Sequence, residues 1–285
     1  MNGITDREYS TTTQPRQAAT ILLLREQRDE IEILMTRRHA GLAFMGGQWV
    51  FPGGVVAASD ASDAAAMLAS QRDDFICHRL HTLQGEALPA RQCLGLAVTA
   101  CRETFEETGV LLASHIDGRP CDPQTLLRVQ AQRAQITKEP TLFLDVLAQE
   151  HLLLDLGRLI YWAHWITPSN SPRRFDTHFF AVAAPASHEV TADTGETTEY
   201  LWQTPAALID AAEQRSMPIS QPTLHNLRDL QLSVSKHRSL DTLLRAESSR
   251  RVIPTLPKMY QENGRTIIVM PWEPGYAQAP GEGTP

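Results

Sequence analysis

Arg102-Glu103-Thr104-Phe105-Glu106-Glu107-Thr108-Gly109 is the stretch on which the reading of this 285-residue chain turns. On a helix, Glu103, Glu106 and Glu107 fall at i, i+3 and i+4 and share one face. Carboxylates at that spacing repel by roughly 0.2–0.5 kcal/mol per pair, so the face suits either open solvent or a cation. A solvated acidic face is the plain alternative, and the flanking residues weigh against it. Ala97, Val98, Cys101 and Phe105 recur at helical spacing, Gly109 stands where a C′ residue closes a helix, and Val110-Leu111-Leu112 then reads as an apolar strand. The carboxylates are therefore carried on a packed scaffold. Hard divalent cations take oxygen ligands and recruit substrate phosphates, so Mg²⁺, with Mn²⁺ as the alternative, is expected on Glu103, Glu106 and Glu107.

These residues resemble the signature of the Nudix hydrolases, G-x5-E-x7-R-E-U-x-E-E-x-G-U, in which U is bulky and apolar. Arg102, Glu103, Glu106, Glu107, Gly109 and Val110 fall in register, and Thr104 replaces an apolar residue. Upstream, Phe51-Pro52-Gly53-Gly54 resembles the turn that opens the signature, but it lies too far from Arg102, so an insertion over about residues 55–91 splits the motif. Counting back from Arg102 puts Leu94 where the first glutamate belongs, which leaves that role absent or supplied from elsewhere, with Glu86 as a candidate. Residues 59–68 read as a capped helix, and the insertion is expected to form a small helical lid. A split box of this kind is similar to the Nudix subfamily that includes a coenzyme A diphosphatase of mammalian peroxisomes. Residues 18–24, 44–47, 163–168, 173–180 and 270–276 look like further landmarks of that subfamily.

The coenzyme A signature of related Nudix enzymes, L-L-T-x-R-S-x3-R-x3-G-x3-F-P-G-G, lies over this chain without a gap. Leu34, Thr36, Arg38, Gly47 and the Phe-Pro-Gly-Gly run match, Met35 is conservative, and His39 and Ala43 replace the serine and the second arginine. A missing arginine removes charge-assisted bonds to a phosphorylated ligand, for which Arg37 or His39 are the stand-ins. The resemblance implies an α/β/α sandwich with a mixed sheet, a helical insertion and a C-terminal helical extension. It implies metal ligation by Glu103, Glu106 and Glu107, orientation of a carboxylate by Arg102, and substrate contacts at Arg38, Gly53, Gly54 and Arg174. For the general base it leaves Glu196 and Glu199, of which Glu199 is carried forward as catalytic. The implied reaction is hydrolysis of a pyrophosphate bond in coenzyme A or an acyl-coenzyme A. ADP-ribose, dinucleotides or nucleotide sugars are the alternative substrates, and a non-hydrolytic nucleotide-binding module is the alternative of another class.

Composition agrees with one domain of ordinary apolar content, placed at residues 18–276, with residues 1–17 disordered and a loose Pro/Gly tail at 277–285. A net charge of −7 argues against a broad nucleic-acid surface. No apolar run reaches the roughly 18 residues of a membrane span, and a polar start without an apolar core points to a cytoplasmic chain. Cys77, Cys93, Cys101 and Cys121 have no C-x-x-C pairing and are expected reduced. The partner expected is a nucleoside diphosphate derivative, with a second copy of the chain as a further candidate.

Strands are expected at residues 18–24, 31–37, 49–51, 159–166, 176–182, 199–202 and 266–269, and helices at 92–108, 124–135, 142–153, 205–214 and 222–232. His164 and His178 fall in apolar strands and read as core or strand histidines, and Trp165, Phe180 and Trp202 read as core.

Overall fold

The computed structural model describes residues 14–69, 79–186, 188–191 and 195–283. Cys77 and part of the insertion lie outside them, as do residues 1–13 of the expected disordered segment. Arg16 and Gln17, the last stretch of that segment, already belong to the first strand.

The chain opens with β1 (Arg16–Gln27) and β2 (Glu30–Arg38), joined by a tight turn in which Arg28 and Asp29 both take positive φ, 53° and 62°. That turn geometry matches the twist of two antiparallel strands. β3 (Trp49–Val50), β4 (Gly53–Val55), a 3₁₀ turn (Ala58–Ala61) and α1 (Asp63–Leu68) follow, then the long α2 (Ala90–Thr108). Beyond it come β5 (Ala113–His115), α3 (Pro123–Ala131), the single turn α4 (Arg133–Ile136), α5 (Leu142–Gln149) and β6 (Leu152–Leu154). The second half holds β7 (Ile160–Ile166), β8 (Phe175–Ala183), β9 (Thr197–Gln203), α6 (Pro205–Glu213), α7 (Gln221–Val234), α8 (Leu240–Glu247), β10 (Lys258–Glu262) and β11 (Arg265–Val269).

The main sheet runs β3-β2-β1-β8-β7, with β4 also on β1 and β9 also on β2. β1 and β8 pair in parallel, and the other pairs are antiparallel. One edge of β1 is shared: Ala18 to Thr20 pair with β4, and Leu24 to Gln27 pair with β2. The strand thus forks near Thr20, and the fork opens beside α2. Two apolar clusters flank the sheet. Leu96, Phe105, Phe143 and Phe180 belong to the one on the α2 side, and Leu22, Trp162, Leu227 and Leu243 to the one under α6 to α8. This is the expected α/β/α sandwich, and burial on both faces explains why β1 reads as a nearly continuous apolar run.

Several elements differ from the sequence reading for local reasons. Gly53 and Gly54 form a strand, β4, rather than a turn, because pairing with Ala19 and Thr20 is non-local and invisible to composition. Val110, Leu111 and Leu112 are buried but stand outside any strand, which starts only at Ala113. Residues 152 and 153, expected to end a helix, open β6, which pairs with β5, since three consecutive leucines carry no period. Helix α8 and strand β10 were not anticipated. The described part of the insertion packs on the core rather than over an opening: Ala65 is fully buried and α1 contacts α2 and α5. The Pro/Gly tail is tied down at Ala279, whose carbonyl accepts from Lys258 Nζ at 2.8 Å.

Candidate active site

Helix α2 ends as expected. Gly109 takes φ 73° and its N–H donates to Phe105 O at 2.8 Å, a conformation that glycine adopts without a Cβ penalty. The helix is more deeply buried than an amphipathic stripe requires, because the sheet, the 3₁₀ turn and α1 enclose it. Thr104, where the signature has an apolar residue, is fully buried and satisfies its hydroxyl on Ala100 O at 2.7 Å.

Arg102 is 1% exposed, so a surface salt bridge is excluded for it. Its guanidinium uses all five N–H groups. Nε and Nη2 hold Asp60 bidentately at 2.9 and 2.8 Å, Nη1 serves Glu103 and Glu106 at 2.9 Å each, and Nη2 also donates to Val55 O at 3.2 Å. Burial opposes the charge, yet Asp60, Glu103 and Glu106 outweigh it and hold the arginine above its ordinary value. A planar fork of fixed donors suits this task, and a lysine could not reproduce it.

Asp60 is the residue that sequence reasoning missed. It is fully buried in the 3₁₀ turn and accepts further bonds from Thr99 Oγ1 at 2.7 Å and the Ala57 amide at 2.9 Å. Passing five residues beyond Gly54 leads to Asp60 as the sixth, where the signature has its first glutamate. The insertion therefore begins after that position, and counting back from Arg102 misplaced the gap. Leu94 instead packs on the apolar core, and Glu86 is exposed with its amide on Thr82 Oγ1 at 3.2 Å.

Gly53 and Gly54 bring strand β4 against this cluster. A Cβ on Gly54 would lie 2.3–2.6 Å from the Glu103 carboxylate, and one on Gly53 would lie 2.5 Å from Ala19 O. Close approach, rather than a tight turn, is what demands both glycines. Glu107 is 4% exposed and accepts from the Gly53 amide, while its Oε2 has no partner among the described residues. Burial raises Glu107 well above the ordinary carboxylate range, with Glu103 and Glu196 adding to the rise and Arg38 opposing it. Burial likewise raises Glu106, against Arg102, and lifts Glu103 to about 7. Two buried carboxylates and a third that is largely buried, with one oxygen left over, are what an oxygen-liganded divalent cation fits, so Glu103, Glu106 and Glu107 suit that group.

A carboxyl whose folded pKa is raised stabilises the fold fully below its unfolded value and loses that contribution as pH rises through the folded value. Ionising Glu103, lifted from 4.5 to about 7, therefore costs about 3 kcal/mol in the metal-free protein. Thermal melts with chelator and with Mg²⁺ are expected to diverge between pH 5 and 8. The Mg²⁺-induced rise in Tm should be small at pH 5 and several degrees at pH 8, and taking the difference cancels groups away from the site. Equal rises at both values would contradict the electrostatics described.

Of the remaining expected site residues, Arg38 and Glu196 act on this centre, whereas Arg174 and Glu199 have their contacts elsewhere. Arg38, at the end of β2, is close enough to act on Glu107, and its Nε has no partner among the described residues. Arg37 pairs with Glu199 at 2.9 Å across β2 and β9, and Glu199 is 53% exposed there. Glu196, in the turn before β9, is the acidic residue that acts on both Glu106 and Glu107. Its carbonyl accepts the His39 amide at 2.8 Å, while the His39 ring takes the Gly41 amide at 3.1 Å. Arg174 is buried at the foot of β8 and donates to Thr167 O at 3.1 Å. The loop bearing Phe44 reaches over to it, with the Phe44 and Phe175 rings 5.0 Å apart.

The arrangement has known relatives. Acyl-coenzyme A diphosphatase NUDT19 of Xenopus laevis is 27% identical over 229 residues, taking in 70% of this chain and 60% of that protein. The Homo sapiens protein of the same name is 26% identical over 231 residues, with the same shares. The chain thus spans about 60% of the length of these curated relatives. The crystal structure of a Nudix hydrolase from Alicyclobacillus acidocaldarius matches with a TM-score of 0.65 and 26% identity, over 82% of this chain and 97% of that one. A family model described as the NUDT19 Nudix domain covers residues 13–230. With its glutamate helix, its glycine strand and this match over most of its length, the chain belongs to the Nudix hydrolase family, in the group of the NUDT19 Nudix domain.

Proposed function

We propose that this chain is a metal-dependent diphosphatase that cleaves the pyrophosphate bond of coenzyme A or an acyl-coenzyme A, giving 3′,5′-ADP and (acyl-)phosphopantetheine. The observation that carries the reading is the buried cluster of Glu103, Glu106 and Glu107, braced by Arg102 and left with an unpartnered oxygen. The chemistry a divalent cation supplies here when bound is charge neutralisation on the pyrophosphate and acidification of water. Glu103, Glu106 and Glu107 hold it, with Mg²⁺ or Mn²⁺ both suited to the oxygen donors. Arg102 fixes two of these carboxylates in place. Arg38, with a free Nε beside the cluster, binds a phosphate oxygen. Gly53 and Gly54 let the backbone come close to the ligand, and Arg174, next to Phe175 on which Phe44 packs, is the further candidate for a substrate contact. Glu196, facing Glu106 and Glu107, takes the proton from the attacking water, because Glu199 is engaged by Arg37.

Coenzyme A as substrate rests on the similarity to proteins named acyl-coenzyme A diphosphatase and on the Phe51-Pro52-Gly53-Gly54 frame. One observation supports the second reading, an ADP-ribose or dinucleotide diphosphatase: Ala43, in place of the second arginine, sits exposed in the loop and offers no charge.

Mass spectrometry of reactions with Mg²⁺ and, separately, coenzyme A, acetyl-coenzyme A, ADP-ribose and NADH tests this. Phosphopantetheine and 3′,5′-ADP are expected from the first, with Glu196→Gln slower by at least a hundredfold and Glu199→Gln within a few-fold of wild type. AMP from ADP-ribose or NADH alone moves the substrate to the second reading. No turnover of any of them supports a nucleotide-binding module instead.

A further inference from the structure

The sheet face that carries α2 also carries a second group of ligand-type side chains. His164 of β7 and His178 of β8 are direct cross-strand partners, and Asp176 stands two residues before His178 on the same face. A register shift between Tyr161 and Ala163 turns His164 onto that face. The two imidazole rings stack with centroids 4.0 Å apart, and both residues are at most 1% exposed, whereas the Asp176 side chain is 25% exposed. One potential ligand atom from each of the three lies within 4.8 Å of the others.

Their hydrogen bonding is incomplete. His164 Nε2 meets Asp176 Oδ1 directly. His178 Nε2 stands 3.7 Å from the same oxygen, too far for a hydrogen bond, and has no partner among the described residues. His164 Nδ1 is also without one among them. A buried polar atom left unpaired costs about 1–3 kcal/mol, so the core holds His178 Nε2 at a penalty that a ligand between it and Asp176 would relieve.

We propose that His164, Asp176 and His178 bind a transition-metal cation of the zinc class, at a site separate from the glutamate cluster. Two ligands each about 2.0–2.1 Å from a tetrahedral zinc stand about 3.4 Å apart, so the 3.7 Å between His178 Nε2 and Asp176 needs only slight closure. Two imidazoles and one carboxylate favour zinc over Mg²⁺, which prefers oxygen throughout. Burial, with His164 beside it, holds His178 well below its ordinary 6.5, which keeps it in the neutral form that ligates. Its Nδ1 lies 2.9 Å from the Tyr161 hydroxyl; with metal on Nε2, Nδ1–H donates to that oxygen and fixes the tautomer.

The site is coupled to the active site by register but not by shared ligands. His164, His178, Ala19 and Gly54 form one row across β7, β8, β1 and β4, and Gly54 abuts Glu103. Two strand spacings, about 10 Å, separate His178 from Gly54, whereas paired catalytic metals lie about 3.5–4 Å apart. The metal thus clamps edge strand β7 to β8 and steadies the row that ends under Glu103.

The test uses the full chain stripped with chelator and titrated with Co²⁺ as a coloured stand-in. Wild type is expected to develop visible absorption of a tetrahedral site with one equivalent, to lose it to one equivalent of Zn²⁺, to keep it in excess Mg²⁺, and to melt higher with Zn²⁺. Glu107→Gln should behave identically. His178→Gln and His164→Asn should weaken Zn²⁺ binding by well over tenfold, and Tyr161→Phe by about tenfold. Absorption abolished by Mg²⁺ or by Glu107→Gln would put the metal on the glutamates and overturn the proposal. So would a wild type that takes up neither Co²⁺ nor Zn²⁺, which would leave the three residues as a core cluster. The wild-type and Glu107→Gln readings do not depend on whether the strand variants fold.

Discussion

Asp60→Ala is expected to destabilise the protein by about 3–5 kcal/mol, the cost of leaving one partner of a buried ion pair uncompensated. Asp60 accepts both arms of the Arg102 fork, so its loss strands Nε and one Nη2 proton in a site where the arginine is 1% exposed. Urea unfolding measures the loss. The double variant Asp60→Ala/Arg102→Met should recover little of it, because removing Arg102 leaves the Glu103 and Glu106 carboxylates without their shared donor. Activity should be low in both variants, since Asp60 orients Arg102 and Arg102 in turn holds Glu103 and Glu106. A single variant as stable as wild type would mean that water replaces the carboxylate and that Asp60 does not anchor the cluster.

Glu107→Gln should lower kcat by more than about a hundredfold, the upper range seen when partners of metal ligands are lost. At the same time it should make the metal-free protein more stable at pH 8. Glu107 is nearly buried, its pKa is raised well above normal by burial, and one oxygen is unpartnered. A neutral amide of the same shape removes that charge and keeps a bond with the Gly53 amide. The gain is about 1–2 kcal/mol, or a few degrees in Tm for a domain of this size. Opposite signs for activity and stability separate a residue kept for chemistry from one kept for packing. A variant that loses both would point to misfolding, and one that keeps activity would remove Glu107 from the metal site.

The glutamate helix was legible because its informative residues lie within two turns, where periodicity fixes their relative direction. Gly109 as its end was legible for the same local reason. What the sequence hid is non-local. β4 exists only through pairing with β1, and Glu199 meets Arg37 across a register that no spacing reveals. His164 and His178 read as ordinary core histidines because Asp176 joins them only when β7 and β8 align. Asp60 was hidden by an assumption about where the extra residues enter, although the count from Gly54 was available. Helix α8 was also available: Ser239 and Thr242 form a reciprocal cap at its start.

The bond between Arg102 and Asp60 joins residues 42 positions apart, whereas the signature it resembles sets them eight apart. Loop-closure entropy grows only as the logarithm of length, so the longer excursion adds about 1.5 kcal/mol. A bidentate charge-assisted pair can absorb that. The two halves of the motif are consequently free to drift apart along the chain while staying fixed in space, and the segment between them can change length with little effect on the chemistry. In evolutionary terms, the continuity of this box is dispensable; the constraint is that Gly54 keeps its distance in sequence to Asp60, and Arg102 its distance to Glu107.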